Sequence, residues 1–138
     1  TELTQILATK TRFHKTKAKH LLLAHQNWPT IKKEIQESNN QYHLREYLFK
    51  NVKGIGMKES SHFIRNIGQN NNQLAILDRH ILRNLAKYQV INNPNISLSK
   101  KRYIKIERKM KNFAEKICIP LDHLDLLFWK EGTGEIFK

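Results

Sequence analysis

The sequence predicts an all-α fold, a bundle of about eight helices, and two observations carry that reading. Apolar residues recur three and four positions apart, which is helical spacing, in place of the alternation that a half-buried strand requires. Only five Gly and three Pro punctuate 138 residues, so long helical segments can run uninterrupted.

The elements follow in order. Leu3, Ile6 and Leu7 mark a short opening helix, and Ala18, Leu21, Leu22 and His25 a second that ends before Trp28. Pro29 suits the first position of a third helix carrying Ile31 and Ile35, because its missing N–H is an orphan there anyway. Leu44, Tyr47 and Leu48 define a fourth, which stops at Val52-Lys53-Gly54-Ile55-Gly56. A fifth follows at once, with Phe63, Ile64 and Ile67 expected to face inward and Gly68 as its left-handed stop. Gln69 to Gln73 is a polar loop, and Leu74 to Leu77 leads into Asp78, the candidate N-cap of a helix built on Ile81, Leu82 and Leu85. Asn92, Asn93 and Pro94 are expected to break that helix. Ser99 caps the longest segment, with Tyr103, Ile106, Met110, Phe113 and Ile117 along one face. Pro120 opens a last helix containing Leu121, Leu124 and Phe128, expected to end at Gly132. No repeat, linker or low-complexity stretch interrupts the chain, so residues 1–138 read as a single domain.

The 25 Lys+Arg against 12 Asp+Glu leave a formal charge of +13. With 39% apolar residues spread along the chain, that charge belongs to a folded domain with a core, not to a disordered basic arm. A balance this basic predicts a polyanionic partner, nucleic acid before an acidic membrane surface. The outer face of the longest segment, with Lys100, Lys101, Arg102, Lys105, Arg108, Lys109 and Lys111, is either a solvated helix surface or a contact for a DNA backbone. One cysteine, Cys118, excludes a disulfide framework, a cysteine-ligated zinc site and a four-cysteine iron–sulfur cluster. It fits a reducing compartment, so the chain is expected to be intracellular, and nothing in the composition calls for a membrane, metal or cofactor. Runs such as Leu21 to Ala24 and Leu126 to Trp129 are too short to span a bilayer.

The most informative stretch is the helix–turn–helix over residues 44–68, whose turn reads Lys53-Gly54-Ile55-Gly56. Two glycines permit positive φ and remove side chains where a phosphate must approach, while the N–H groups of the turn and new helix form an anion site. Ile55 between them would tuck inward. Gly-X-Gly alone also fits an ordinary interhelical turn; the flanking lysines and the basic chain favour a backbone-binding helix-hairpin-helix. Lys58 falls in the first turn of the second helix, where the helix dipole and partial burial would favour the neutral amine, a nucleophile. A phosphate contact is its plainer role. Asp78, twenty residues on, is placed to fold back beside the hairpin, where an ionised carboxylate would stabilise an oxocarbenium-like sugar. Capping a helix is compatible with that role and would fix the carboxylate.

Val52 to Gly68, Ala75 to Arg83 and the ending Leu126 to Lys138 together resemble the second family of 8-oxoguanine DNA glycosylase/AP lyases, within the helix-hairpin-helix superfamily. The resemblance runs over most of the chain. It implies a bifunctional enzyme that excises 8-oxoguanine from double-stranded DNA, with Lys58 as the Schiff-base lysine and Asp78 as the catalytic aspartate. It implies also that Trp129 and the terminal Lys138 help form the base pocket, Trp129 offering a stacking face and the chain-end carboxylate an acceptor for the N7 hydrogen of 8-oxoguanine. Core packing for Trp129 and a frayed end for Lys138 are the plainer alternatives. Asp125, one turn before Trp129, is a weaker candidate for the same pocket. The segment between Gly68 and Asp78 is a couple of residues longer than the family pattern. Family members also carry additional helices before the region that begins here, so a shortened member, a fragment or one chain of a split enzyme is expected. The rival readings are a non-catalytic helix-hairpin-helix module and a glycosylase for another base.

Overall fold

The structure, a computed structural model, describes residues 1–135. As the periodicity predicts, those residues form eight α-helices and no strand. Contacts divide them into two compact units, residues 1–56 and 57–138, and each is described by itself. No described helix is long and apolar enough to cross a membrane.

The first unit holds α1 (Glu2–Ala8), α2 (His14–Gln26), α3 (Trp28–Glu37) and α4 (Gln41–Asn51). Each helix packs on the next. Pro29 lies in the first turn of α3, and Asn40 caps α4 by accepting the His43 N–H at 3.0 Å. Ala18, Ile31, Leu44, Leu48 and Val52 are buried. By contrast α1 buries no residue, and Ile6, Phe13, Leu21, Leu22, Leu23 and Trp28 are exposed.

The second unit holds α5 (Met57–Asn66), α6 (Arg79–Lys87), α7 (Lys100–Lys116) and α8 (Leu121–Thr133), with α8 packed on both α6 and α7. Gly68 closes α5 at φ +77°, and the Gln69 N–H reaches back to the Ile64 carbonyl at 3.0 Å. Between α5 and α6 the buried residues Leu74 to Leu77 carry the chain to Asp78. The Ser99 hydroxyl caps α7 by accepting the Arg102 N–H at 3.3 Å. Phe113, Phe128 and Tyr88 stack, with Phe128 and Tyr88 only 12° from parallel at 5.6 Å.

Four expectations are corrected. Ile67 and Ile117 are exposed, because each lies just past the helix whose face it was assigned to; on α7, Ala114 and Glu107 are buried with Tyr103, Ile106 and Met110. The stop of α6 is Gln89 at φ +59°, ahead of the Asn92-Asn93-Pro94 run. Gly132 lies inside α8, and Gly134 at φ +77° ends it. In the turn before α5 only Gly54 takes positive φ, at +87°; an added Cβ there would sit 2.4 Å from His20 Nδ1.

Asp125 is buried against Arg65, with Oδ1 2.6 Å from Nη1 and side chains 3% and 11% exposed. Removing one member of such a pair leaves the other charge buried without compensation. Asp125→Ala is expected to cost about 3 kcal/mol or more, read as a lower urea midpoint. Lys50→Ala, which breaks the exposed i,i+4 pair with Glu46, should cost less than about 1 kcal/mol.

Candidate active site

Three sequence-predicted residues meet in the second unit. Lys58, Asp78 and Trp129, with His62, Ile76, Arg79 and His80, line a cavity of about 450 Å³. Lys58 is the second residue of α5 and His62 lies one turn further, so both point to the same side of that helix. The Met57, Ser60, Ser61 and Ile64 face of α5 is buried. The Lys58 amine rests 3.2 Å from Glu59 Oε1 in a half-exposed pair, an arrangement worth only about 0–1 kcal/mol in water. It is a weak tether.

Asp78 is held far more firmly. Its Oδ1 accepts the backbone N–H groups of both His80 and Ile81, each at 2.9 Å, so the residue is the N-cap of α6 as well as part of the cavity wall. The double cap fixes the carboxylate at the positive end of the helix and uses Oδ1 for it.

Trp129 is half-buried and meets His80 edge to face, with ring centroids 5.1 Å apart at 86°. Two features bring them together. Asn84 on α6 donates from Nδ2 to the Phe128 carbonyl at 3.1 Å, tying α6 to α8 just before Trp129. Gly132, one turn after Phe128, leaves room for His80: a Cβ there would lie 2.6 Å from His80 Nδ1 and 2.9 Å from its Cβ.

His62 and His80 are the residues that sequence reasoning missed. Their signals were present, since His62 is four residues after Lys58 and His80 two after Asp78. His62 Nε2 is buried without a hydrogen-bond partner, as is Ser60 Oγ. Asp125 does not line the cavity; it is turned to Arg65. Lys138 lies outside the described residues. Lys53, Gly54, Ile55 and Gly56 belong to the first unit, with Lys53 and Gly54 exposed and Ile55 and Gly56 half-buried. Among the described residues no cluster of three or more His, Cys, Asp or Glu could hold a metal ion.

The family model for 8-oxoguanine DNA glycosylase matches residues 1–119. The chain belongs to the 8-oxoguanine DNA glycosylase family. A relative from Fusobacterium nucleatum subsp. nucleatum, an 8-oxoguanine DNA glycosylase/AP lyase, is 51% identical over 94 residues, covering 68% of this chain and 43% of the relative. One of the same name from Methanocaldococcus jannaschii is 38% identical over 127 residues, 92% of this chain and 60% of the relative. The crystal structure of the Methanocaldococcus jannaschii 8-oxoguanine glycosylase/lyase in complex with 15mer DNA containing 8-oxoguanine superposes with a TM-score of 0.88 at 36% identity, over 99% of this chain and 65% of that one. This glycosylase-family chain thus spans 43% and 60% of the lengths of the two relatives.

Gly132→Ala is expected to push His80 off Trp129. The overpacking should cost about 1–3 kcal/mol and shift Trp129 emission, read in a Trp28→Phe background. Unchanged emission and an unchanged unfolding midpoint would refute the contact.

Proposed function

We propose that the chain carries the catalytic half of a bifunctional DNA glycosylase/AP lyase that removes 8-oxoguanine from double-stranded DNA. The observation that supports it is the convergence of Lys58, Asp78 and Trp129 on one cavity in a chain of this family. In this reading the flipped nucleotide enters that cavity, with its base stacked on Trp129. The Lys58 ammonium leaves Glu59 and gives up a proton, the neutral amine attacks C1′, the bond from C1′ to N9 breaks, and the base departs with the electron pair and takes up that proton. The Asp78 carboxylate stabilises the positive charge that develops on the sugar. The sugar ring opens to an imine on Lys58; loss of a C2′ proton then expels the 3′ phosphate by β-elimination, and water releases the lysine.

Lys53 and the Gly54-Ile55-Gly56 turn serve the DNA backbone, where exposed cations and backbone N–H groups suit phosphates. Lys138 joins Trp129 in recognition of the base. A second reading draws on the first unit, whose exposed Ile6, Phe13, Leu21, Leu22 and Trp28 suit cover by further polypeptide, either of the same chain or of a second one.

Borohydride trapping with an 8-oxoguanine duplex tests the main reading. The unaltered chain is expected to form a covalent protein–DNA adduct, and Lys58→Gln none; an adduct that survives Lys58→Gln would sink it. Binding separates the two kinds of lysine. Lys53→Ala should lower the slope of log K against log salt by about one unit, while Lys58→Gln should leave binding nearly intact. If adduct forms only after extracts or partner chains are added, the second reading gains over a self-sufficient enzyme.

A further inference from the structure

Residues 74–77 belong to no helix, each is at most 2% exposed, and no strand lies among the described residues to pair with them. A buried segment outside helix and sheet must still satisfy its N–H and C=O groups. Here side chains do so. Asn70 brackets Leu74, accepting its N–H and donating to its carbonyl, both at 2.9 Å. Glu107 Oε2 accepts the Ala75 N–H at 2.8 Å. The Tyr103 hydroxyl donates to the Ala75 carbonyl at 2.7 Å and accepts the Leu77 N–H at 3.1 Å. Tyr103 and Glu107 lie one turn apart on α7, and both are buried.

We infer that Tyr103 and Glu107 are positioning residues for Asp78, acting as a two-residue substitute for a neighbouring strand. Neither touches the cavity. A single hydroxyl binds groups on both sides of Ile76, so the Ala75–Leu77 backbone cannot rotate without losing both bonds, and Asp78 is the next residue along. From there the Asp78 N–H turns back to the Ile76 carbonyl at 2.9 Å while its carboxylate caps α6. The carboxylate is thus held from behind by α7 and from ahead by α6. A charge that must meet a developing cation needs its position fixed to a fraction of an ångström, and supporting hydrogen bonds of this kind supply that. The inference rests on the proposed role of Asp78.

Amide hydrogen exchange on the free 138-residue chain tests the clamp itself. Tyr103→Phe and Glu107→Leu are expected to speed exchange at Leu77, His80 and Ile81 by about tenfold or more, with the amides of α8 still protected. Glu107→Gln, which keeps an acceptor oxygen, should retain protection. Unchanged exchange at His80 and Ile81, or equal loss throughout α8, overturns the inference. Single-turnover borohydride trapping on a saturating 8-oxoguanine duplex tests the consequence. Tyr103→Phe should slow trapping about tenfold with DNA affinity unchanged, yet change the rate less than about twofold in an Asp78→Asn background. Equal losses in both backgrounds would show a general packing role and overturn it. Should Tyr103→Phe not fold, Glu107→Leu with Glu107→Gln carries both measurements. If the unaltered chain traps no DNA, the proposed activity falls, and the exchange data still decide whether the pair holds Asp78.

Discussion

Asp78 Oδ1 accepts two backbone amides at once, and the second unit is organised around keeping that residue in place. An N-cap normally serves the helix that it begins, contributing about 1 kcal/mol. Here the direction of service is reversed as well: α6, once formed, returns a fixed position to the carboxylate. The helix is itself anchored by Ile81 and Leu85, both fully buried, and by Asn84, which binds the Phe128 carbonyl of α8. Fixing Asp78 therefore also fixes His80 two residues on, and His80 meets Trp129. One local hydrogen-bonding motif sets three walls of the cavity.

The buried segment before Asp78 shows the opposite arrangement, in which distant residues serve a local need. Asn70 belongs to the preceding loop and bonds Asp122 at the start of α8. Tyr103 and Glu107 come from α7, more than twenty-five residues downstream. A strand neighbour would have supplied these bonds with backbone groups, insensitive to side-chain identity. Side chains do so only when the residue type is right, so the burden of positioning falls on three named residues.

This difference explains what could be read in the sequence. Caps and stops are local, and Asp78, Ser99 and Gly68 stand where their residue types put them. The all-α class and the meeting of Lys58 and Asp78 at one cavity were legible for the same reason, since spacing along the chain carries them. Helical periodicity marked Tyr103 as inward but is silent on where its hydroxyl goes, and it gave no cause to bury Glu107. Gly132 was misread because a glycine near a helix end can serve either as a stop or as a gap for a neighbour. Only the position of His80 decides between them. Ile67 and Ile117 continue an apolar pattern past the last residue of the helix that gave it meaning. Asp125 was drawn towards the pocket by its one-turn spacing from Trp129, while a buried carboxylate needs its cation more, and Arg65 lies 60 positions away in sequence.

The two proposed catalytic groups are held in contrasting ways, and the chemistry proposed for them asks for that contrast. Asp78 need only present charge, so its work is best done without motion; reorganising a carboxylate during the reaction would forfeit part of the stabilisation that it gives. Lys58 must travel: its amine bonds to carbon, rides on the sugar through ring opening and elimination, and is then released. A lysine locked in a buried ion pair would have to break that pair at each turnover. An exposed partner such as Glu59 holds the side chain beside the cavity at about the strength of thermal energy, and the helix backbone beneath it does the rest of the positioning. Rigidity has been placed on the residue that stays and looseness on the residue that moves. Of the many cations in this basic chain, Lys58 is distinguished less by its own environment than by the fixed carboxylate that lines the same cavity.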